Sequence, residues 1–430
     1  MVLEDRYPDL LRCSRCSYCK FIPLGLIWEK EYSYGCPAIS YRNFHTYSAS
    51  GKVITAISLL QKRIDLSETL LDVAYECLTC GSCHVACQIN KIHIEPRDVI
   101  IDLRTYLVER GLISDQHRVV IDGLRREGNM MQRPRGERGK WAEGLHVKDL
   151  SEEGVHADVL LHVGCRYSYD EELWPIIRGL VNLLVEAGVD LGIMGKEEDC
   201  CGGRALELGF RGEFNKFAES NMDLWRTKGV KIVVTPCAEC YHTFIYRYPE
   251  KLNRELGVRV FHITQYLERL MKEDKIKLTK PVPMKITYHD PCHLGRLGEP
   301  YIPWSGKRKK ILNQIPVWDP PKPLRIGREG VYDPPRNILR SVPQLKLVEM
   351  HRTREYAWCC GSGGGVKEYD PEFALWTAKE RIKEAKSVGA EAIVTACPWC
   401  KRNFADAVQK YGDNLKIYDV VELVLKAREV

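Results

Sequence analysis

The sequence predicts an α/β fold: a mostly helical N-terminal part, then two copies of one α/β unit with parallel sheets. Three observations carry this. From Asp158 onward, short apolar strand-like runs alternate with stretches of helical period, the pattern of parallel sheets with helical crossovers. A set of five cysteines, one alone, then an adjacent pair, then Cys-x-x-Cys, occurs twice in that region. The cysteines nearer the N-terminus have a different spacing and lie among helical patterns.

Length and composition set the outer limits. A chain of 430 residues is long enough for two or three domains with their own cores. Its 44% hydrophobic and 28% charged residues are those of a globular protein. There is no run of 18 apolar residues, so no span across a bilayer is expected. Met1 to Cys19 carries charges and cysteines where a signal peptide needs an apolar stretch, so export is not expected and a cytoplasmic location is. Any membrane association would come through a partner.

The 18 cysteines fall into groups with none left over: Cys13, Cys16, Cys19, Cys36; Cys77, Cys80, Cys83, Cys87; then two fives. In a reducing compartment such grouping points to metal ligation rather than disulfides. Cys13-x-x-Cys16-x-x-Cys19 and Cys77-x-x-Cys80-x-x-Cys83 each let a tight loop bring three sulfurs to one face of a [4Fe-4S] cubane, whereas three thiols so spaced fit zinc poorly. In two-cluster ferredoxins the fourth cysteine of each run serves the other cluster. The same rule here pairs Cys13, Cys16 and Cys19 with Cys87, and Cys77, Cys80 and Cys83 with Cys36. Two departures stand out. Sixteen residues, Lys20 to Gly35, precede Cys36 and include Phe21, Trp28, Tyr32 and Tyr34, a loop expected to cover a cluster or dock a partner. Gln88 stands where proline is usual. Helical periodicity marks Ser50 to Leu60, Leu66 to Tyr75 and Pro96 to Glu109. Asn129 to Lys148, rich in Gly, Arg and Pro, reads as a linker.

The two later units match element by element. Asp158 to Val163 is a strand before Cys165, Trp174 to Ala187 a helix, and Val189 to Met194 a strand before Cys200-Cys201-Gly202. Glu213 to Lys228 is a helix, and Val230 to Thr235 a strand before Cys237-x-x-Cys240. In the second copy Lys285 to Tyr288 precedes Cys292. Trp358-Cys359-Cys360-Gly361 supplies the pair, Glu372 to Val388 is helical, and Ala392 to Thr395 precedes Cys397-x-x-Cys400. The offsets between copies are 127, 159 and 160 residues, which places an insertion near Glu299 to Pro335, expected to wrap the surface. The expected domains are 1–150, 151–281 and 282–430. Ligands after strands and at helix starts suit sites in parallel sheets, where the positive helix end favours thiolate.

Adjacent cysteines chelate one tetrahedral ion poorly but can grip two irons of a larger cluster, with glycine letting the backbone approach the sulfur. A vicinal disulfide is the plain alternative to one such pair. Repetition with a lone cysteine and a Cys-x-x-Cys argues against it.

These motifs, Cys165…Cys200-Cys201-Gly202…Cys237-x-x-Cys240 and Cys292…Cys359-Cys360-Gly361…Cys397-x-x-Cys400, resemble the CCG domains of heterodisulfide reductases. The whole order, a ferredoxin-like part with two cubanes and then two CCG domains, is similar to the fused catalytic subunit of that family, its D type. The resemblance implies a noncubane [4Fe-4S] cluster in each CCG domain, beside two [4Fe-4S] cubanes. It implies electron transfer through the cubanes and reductive cleavage of the coenzyme M–coenzyme B disulfide. It also implies a redox partner: a flavoprotein, a cytochrome b or a tungsten oxidoreductase subunit. An electron-relay subunit without its own disulfide substrate is the other reading.

Disulfide cleavage needs two electrons and two protons. His289 and His293 flank Cys292 and titrate near neutrality, so they are candidate catalytic proton donors. Their plain alternative is a hydrogen bond to backbone or sulfide. Glu239, inside a Cys-x-x-Cys, is a weaker candidate. Gly361 to Gly365 belongs to a cysteine motif and is not a phosphate loop. The net charge of +6 counts thiols as neutral. Clusters of charge near about −2 each would offset it, with Arg12, Arg15, Lys20 and Arg97 as local compensation. No basic stripe interleaved with aromatics is present, so nucleic-acid binding is not expected.

Overall fold

A computed structural model describes residues 2–89, 94–313 and 315–429. It is an α/β protein whose N-terminal part is helical and whose remainder carries two parallel sheets. The strands are β1 Lys148–Asp149, β2 Val159–Leu161, β3 Leu191–Ile193, β4 Ile232–Thr235, β5 Arg259–His262, β6 Met284–His289, β7 Lys307–Ile311, β8 Ile315–Asp319, β9 Leu345–Val348, β10 Ala392–Thr395 and β11 Lys416–Asp419. Strands expected from the sequence appear within a few residues of their expected ends.

The first sheet has the order β1-β3-β2-β4-β5 and the second β11-β10-β6-β9. Leaving aside the short β1, the two are the same arrangement: the strand before the pair, the strand before the lone cysteine, the strand before Cys-x-x-Cys, then a closing strand. Every pairing within them is parallel, for example Leu160↔Val233 and Val394↔Tyr288. Ile-Val-Val-Thr of β4 and Ala-Ile-Val-Thr of β10 are buried at every position, as central strands covered on both faces require. Each closing strand ends in the N-cap of the next helix. His262 caps Ile263–Lys272 with Gln265, and Asp419 caps Val420–Ala427 with Glu422, both as capping boxes.

The copies face each other with pseudo-twofold reciprocity. The helix after the last strand of each copy packs on the long helix between the lone cysteine and the next strand of the sheet in the other: Val420–Ala427 against Trp174–Glu186, and Ile263–Lys272 against Asp333–Ser341. Gly179 gives Leu425 room, since a Cβ there would stand 2.5 Å from its Cδ1. The cysteine-bearing strand ends thereby converge at the centre.

The helical N-terminal part sits across both copies. Arg104, on the helix Pro96–Val108, is fully buried. It donates to Ala74 O (3.0 Å) and Cys77 O (2.7 Å) of its own region, to Glu207 O (2.8 Å) of the first copy and to Gly364 O (2.9 Å) of the second.

One expectation needs correction and one is extended. Residues 129–148 are not a linker: Asn129, Arg138 and Trp141 are buried, and the segment ends in β1 at the edge of the first sheet. Polar composition misled because Arg138 is neutralised by Glu198 at 2.7 Å, a partner distant in sequence. The insertion does lie outside the sheets, but it carries the antiparallel hairpin β7–β8, which its proline content did not announce.

Candidate metal centres

Cys13, Cys16, Cys19 and Cys87 line one cavity, and Cys36, Cys77, Cys80 and Cys83 line another. The cross-pairing expected from the ferredoxin rule is thus the grouping in space. Lys52, buried on the helix Ala49–Leu60, also lines the second cavity and donates to Tyr47 O (2.6 Å). No sequence pattern marks this cation.

In the first α/β unit the sulfurs form a chain of contacts: Cys165 with Cys200, Cys201 with Cys200 and Cys240, and Cys237 with Cys240. In the second, Cys359 touches both Cys292 and Cys360, and Cys400 touches Cys360 and Cys397. Cys237 and Cys397 are the N-caps of Ala238–His242 and Pro398–Tyr411, so both Cys-x-x-Cys motifs open helices. After Cys240 the chain winds a π-turn over Thr243–Arg247, where the second unit keeps a regular α-helix. The glycine after each pair is obligatory. Gly202 and Gly361 have φ of 78° and 96°, and a Cβ on Gly361 would lie 2.1 Å from Ala374 O.

Contacts between groups join these sites in one order. Cys19 and Cys83 pack together around Ala49. Cys80 meets Cys359, and Cys237 meets Cys397. The sulfur route therefore runs from the first N-terminal group to the second, then to the second α/β unit, and last to the first. Of the 18 cysteines only Cys16 is exposed.

The thiols converge without a disulfide, and buried cations stand beside them, as electron-rich sulfur sites require. Arg138 Nη1 lies 3.7 Å from Cys165 Sγ. Arg296 donates to Cys80 O at 2.7 Å. His293 bridges Cys292 Sγ (3.5 Å) and Glu207 Oε1 (3.0 Å). Burial works against a charged His293, but Cys292 and Glu207 raise its pKa well above the usual histidine range. Glu207 also accepts from Thr79 Oγ1 (2.8 Å), Arg97 Nη2 (2.9 Å) and Gly364 N (3.1 Å). Burial alone would raise its carboxyl, yet His293, Arg204 and Arg97 hold it well below its ordinary value. This donor set, soft thiolates grouped in fours and fives with orphaned buried N–H groups nearby, fits iron–sulfur clusters.

A small cavity separates the two α/β units. Cys292, Cys360, Cys397 and Cys400 face it from the second, Arg204 and Glu239 from the first. Arg204 pairs with Glu239 (3.4 Å), donates to Ser362 O (3.2 Å) and lies over Trp399. Burial pushes the Glu239 carboxyl up to about 7 against the pull of Arg204. His293 lines this cavity, whereas His289 is held deeper, edge-on to Phe404. Arg104, Arg138, Arg204, Arg296 and Glu207 were missed in the sequence, because a single charged residue carries no pattern there.

Comparisons with known proteins agree with this geometry. The model of the 4Fe-4S dicluster domain matches residues 9–91, and that of the cysteine-rich CCG domain matches 159–245 and 325–405. The chain is 31% identical over 365 residues to the D subunit of the dihydromethanophenazine:CoB–CoM heterodisulfide reductase of Methanosarcina barkeri, covering 84% of this chain and 79% of that one. It is 33% identical to the probable iron-sulfur-binding oxidoreductase FadF of Bacillus subtilis over 82% of this chain but 46% of FadF. It is 29% identical to the EtfAB:quinone oxidoreductase of Syntrophomonas wolfei over 84% of this chain and 47% of that one. A crystal structure of a hypothetical protein from Helicobacter pylori shares the fold, with a TM-score of 0.54 at 12% identity over 99% of this chain and 76% of that one. Among the described residues no helix is long and apolar enough to cross a membrane. With its dicluster domain, its two CCG domains and this identity over most of its length, the chain is an iron–sulfur electron-transfer oxidoreductase that belongs to the family of heterodisulfide reductase D subunits.

Proposed function

We propose that the chain accepts electrons at its N-terminal end and delivers them to a disulfide at the junction of its two CCG domains. The single observation behind this reading is that junction cavity, where four thiols of one domain face Arg204 and Glu239 of the other, with His293 at its wall. We assign Cys13, Cys16, Cys19 and Cys87 to one [4Fe-4S] cubane and Cys36, Cys77, Cys80 and Cys83 to the other. The five cysteines of each CCG domain hold a noncubane [4Fe-4S] cluster. We keep the domain limits 1–150, 151–281 and 282–430, with the end of the first domain lending β1 to the edge of the next domain's sheet. When bound, the clusters supply one-electron steps.

The chain's own residues supply the rest. Reducing a disulfide to two thiols takes two electrons and two protons. His293 holds one proton between Cys292 and Glu207. Glu239, raised to about 7, holds a second on the same cavity. His289, without access to the cavity wall, serves the site by hydrogen bonding rather than by proton donation. The apolar wall of Trp399 and the Arg204–Glu239 pair exclude bulk water. By analogy with the methanogen relatives the substrate is the coenzyme M–coenzyme B disulfide. The test is oxidation of reduced viologen by that disulfide with the cluster-loaded chain: turnover supports the reading, and none with intact clusters refutes it.

A second reading is a relay between a partner and another carrier. It is favoured by the burial of every cysteine along the route beyond the first group, except the half-buried Cys36 and Cys77. The names of the EtfAB:quinone oxidoreductase and FadF relatives agree with it. The partner is then a flavoprotein, a cytochrome b or a tungsten oxidoreductase subunit. Co-purification of such a protein, with no activity on disulfides, selects it.

A further inference from the structure

The CCG domains carry equivalent histidines, three residues before their lone cysteines: His162 before Cys165 and His289 before Cys292. Each ends a central strand region and is buried. Each meets a phenylalanine edge-on, Phe244 at 4.9 Å and 87° and Phe404 at 4.9 Å and 86°. Their Nδ1 atoms have opposite neighbours.

His289 Nδ1 lies 3.3 Å from Arg381 Nε. A guanidinium has donors only, so Nδ1 must accept. Arg381 is fully buried on Pro371–Ser387 and is fixed from its other side by Glu384 (2.7 Å), which also takes Arg352 (3.0 Å). The neutral imidazole therefore carries its proton on Nε2. That Nε2 is buried with no nitrogen or oxygen partner, and Cys360 receives a side-chain hydrogen bond from the ring. The ring stands with Cys360 and Cys400, the three donor atoms lying within 4.8 Å of one another. A buried N–H left without an acceptor is costly, and the sulfur of this site is the acceptor within reach.

His162 Nδ1 instead faces the Glu198 carboxylate at 3.8 Å. Glu198 is ionised beside Arg138 and can only accept, which favours the proton on Nδ1 and leaves Nε2 as a lone pair. Nε2 of His162 is likewise without a nitrogen or oxygen partner.

We infer that the two histidines are held in opposite tautomers, so that His289 gives an N–H···S hydrogen bond to the second CCG site while His162 gives none to the first. The inference rests on the cluster assignment above. A hydrogen bond to sulfur stabilises the more negative, reduced state and raises a site's potential. The second site, which the route reaches first, is thereby the more easily reduced of the two. His289 and Arg381 are positioning residues in this scheme.

The test is an EPR-monitored redox titration of the full, cluster-loaded chain. His289→Leu should lower the midpoint of the second CCG signal and leave the first unchanged, with iron content intact. His289→Gln, which keeps an N–H donor, should restore part of the shift, and Arg381→Met should lower the midpoint in the same direction. On wild-type protein, electron–nuclear double resonance should show at the second site a proton that exchanges in D2O and only weak nitrogen coupling. A strong coupling of directly bound nitrogen overturns the inference, as does an unchanged midpoint in His289→Leu. The wild-type spectrum decides even where the leucine variant fails to load. Absence of any CCG signal in wild-type protein would instead refute the cluster assignment.

Discussion

The two CCG domains share strand order, capped closing helices and the spacing of five sulfurs, yet their surroundings differ. Around Cys165 the first domain draws on a strap from residues 129–148, with Arg138 and Glu198. Around Cys292 the second draws on His293, and Glu207 reaches it from the first domain. One site is closed by its own domain and the strap that precedes it, the other by residues of all three regions. One repeated scaffold can thus fix the ligands while the neighbours, which the repeat does not specify, set each site's charge and place in the route.

The largest expected effect comes from breaking each site in turn. Cys360→Ser should lose the second CCG cluster and break the path to the first, so reduction of the first domain's signal by an N-terminal donor falls by at least about 100-fold, about 3 kcal/mol in effective barrier. Cys201→Ser should lose the first domain's cluster alone, with the other three still reduced at normal rates. Rapid-freeze EPR reads both. Equal effects of the two variants would show the domains to be in parallel rather than in series.

Next comes stability. Glu207→Ala leaves Arg97 and His293 buried without their shared carboxylate and should cost about 3–5 kcal/mol. Glu198→Ala strips one arginine and two backbone N–H groups of their acceptor, and should cost less. Denaturant unfolding under anaerobic conditions measures both. An equal or larger loss in Glu198→Ala would contradict the view that the second site is the interlocked one.

The closing helices give a smaller, pH-dependent contrast. Burial raises Asp419, an N-cap, to about 7, whereas burial lowers His262, its counterpart, to about 4. A carboxyl raised on folding contributes stability that is full below its unfolded value, near pH 4, and is lost as pH rises toward 7. Asp419→Asn keeps a cap acceptor and removes this dependence. Wild type should lose about 2–4 kcal/mol relative to the variant between pH 4 and pH 8, read as a falling difference in Tm. A constant difference would rule out the buried ionisation.

Much of this was legible in the sequence because cysteine spacing and strand–helix alternation are local patterns. Ala392 to Thr395 is the strand expected there, and helices follow both Cys-x-x-Cys motifs. The cross-pairing of Cys36 and Cys87 was legible through a rule about two-cluster runs. What stayed hidden depends on partners far apart in sequence. Arg138 reads as linker until Glu198 is beside it, and nothing in the sequence marks Glu207, whose partners Arg97 and His293 lie 110 and 86 residues away. The order of the sulfur route was hidden too, since the N-terminal part meets the second domain before the first, against chain order.

The smallest effect concerns the N-terminal entrance. Trp28 is 92% exposed, so Trp28→Ala should change stability by less than about 0.5 kcal/mol. If the loop docks a redox partner, the variant should slow reduction by that partner and not by dithionite. Equal slowing with both would place Trp28 in the chain's own electron path.

Both the sulfur route and the proposed chemistry depend on four sulfur groups holding four clusters, two of them in matched domains. Iron and zinc analysis of the chain purified without oxygen, together with EPR, tests it most directly. Four clusters require about sixteen irons per chain, four per group, with separable signals from the N-terminal and CCG sites. About four irons or fewer, with tightly bound zinc in the remaining groups, would contradict it.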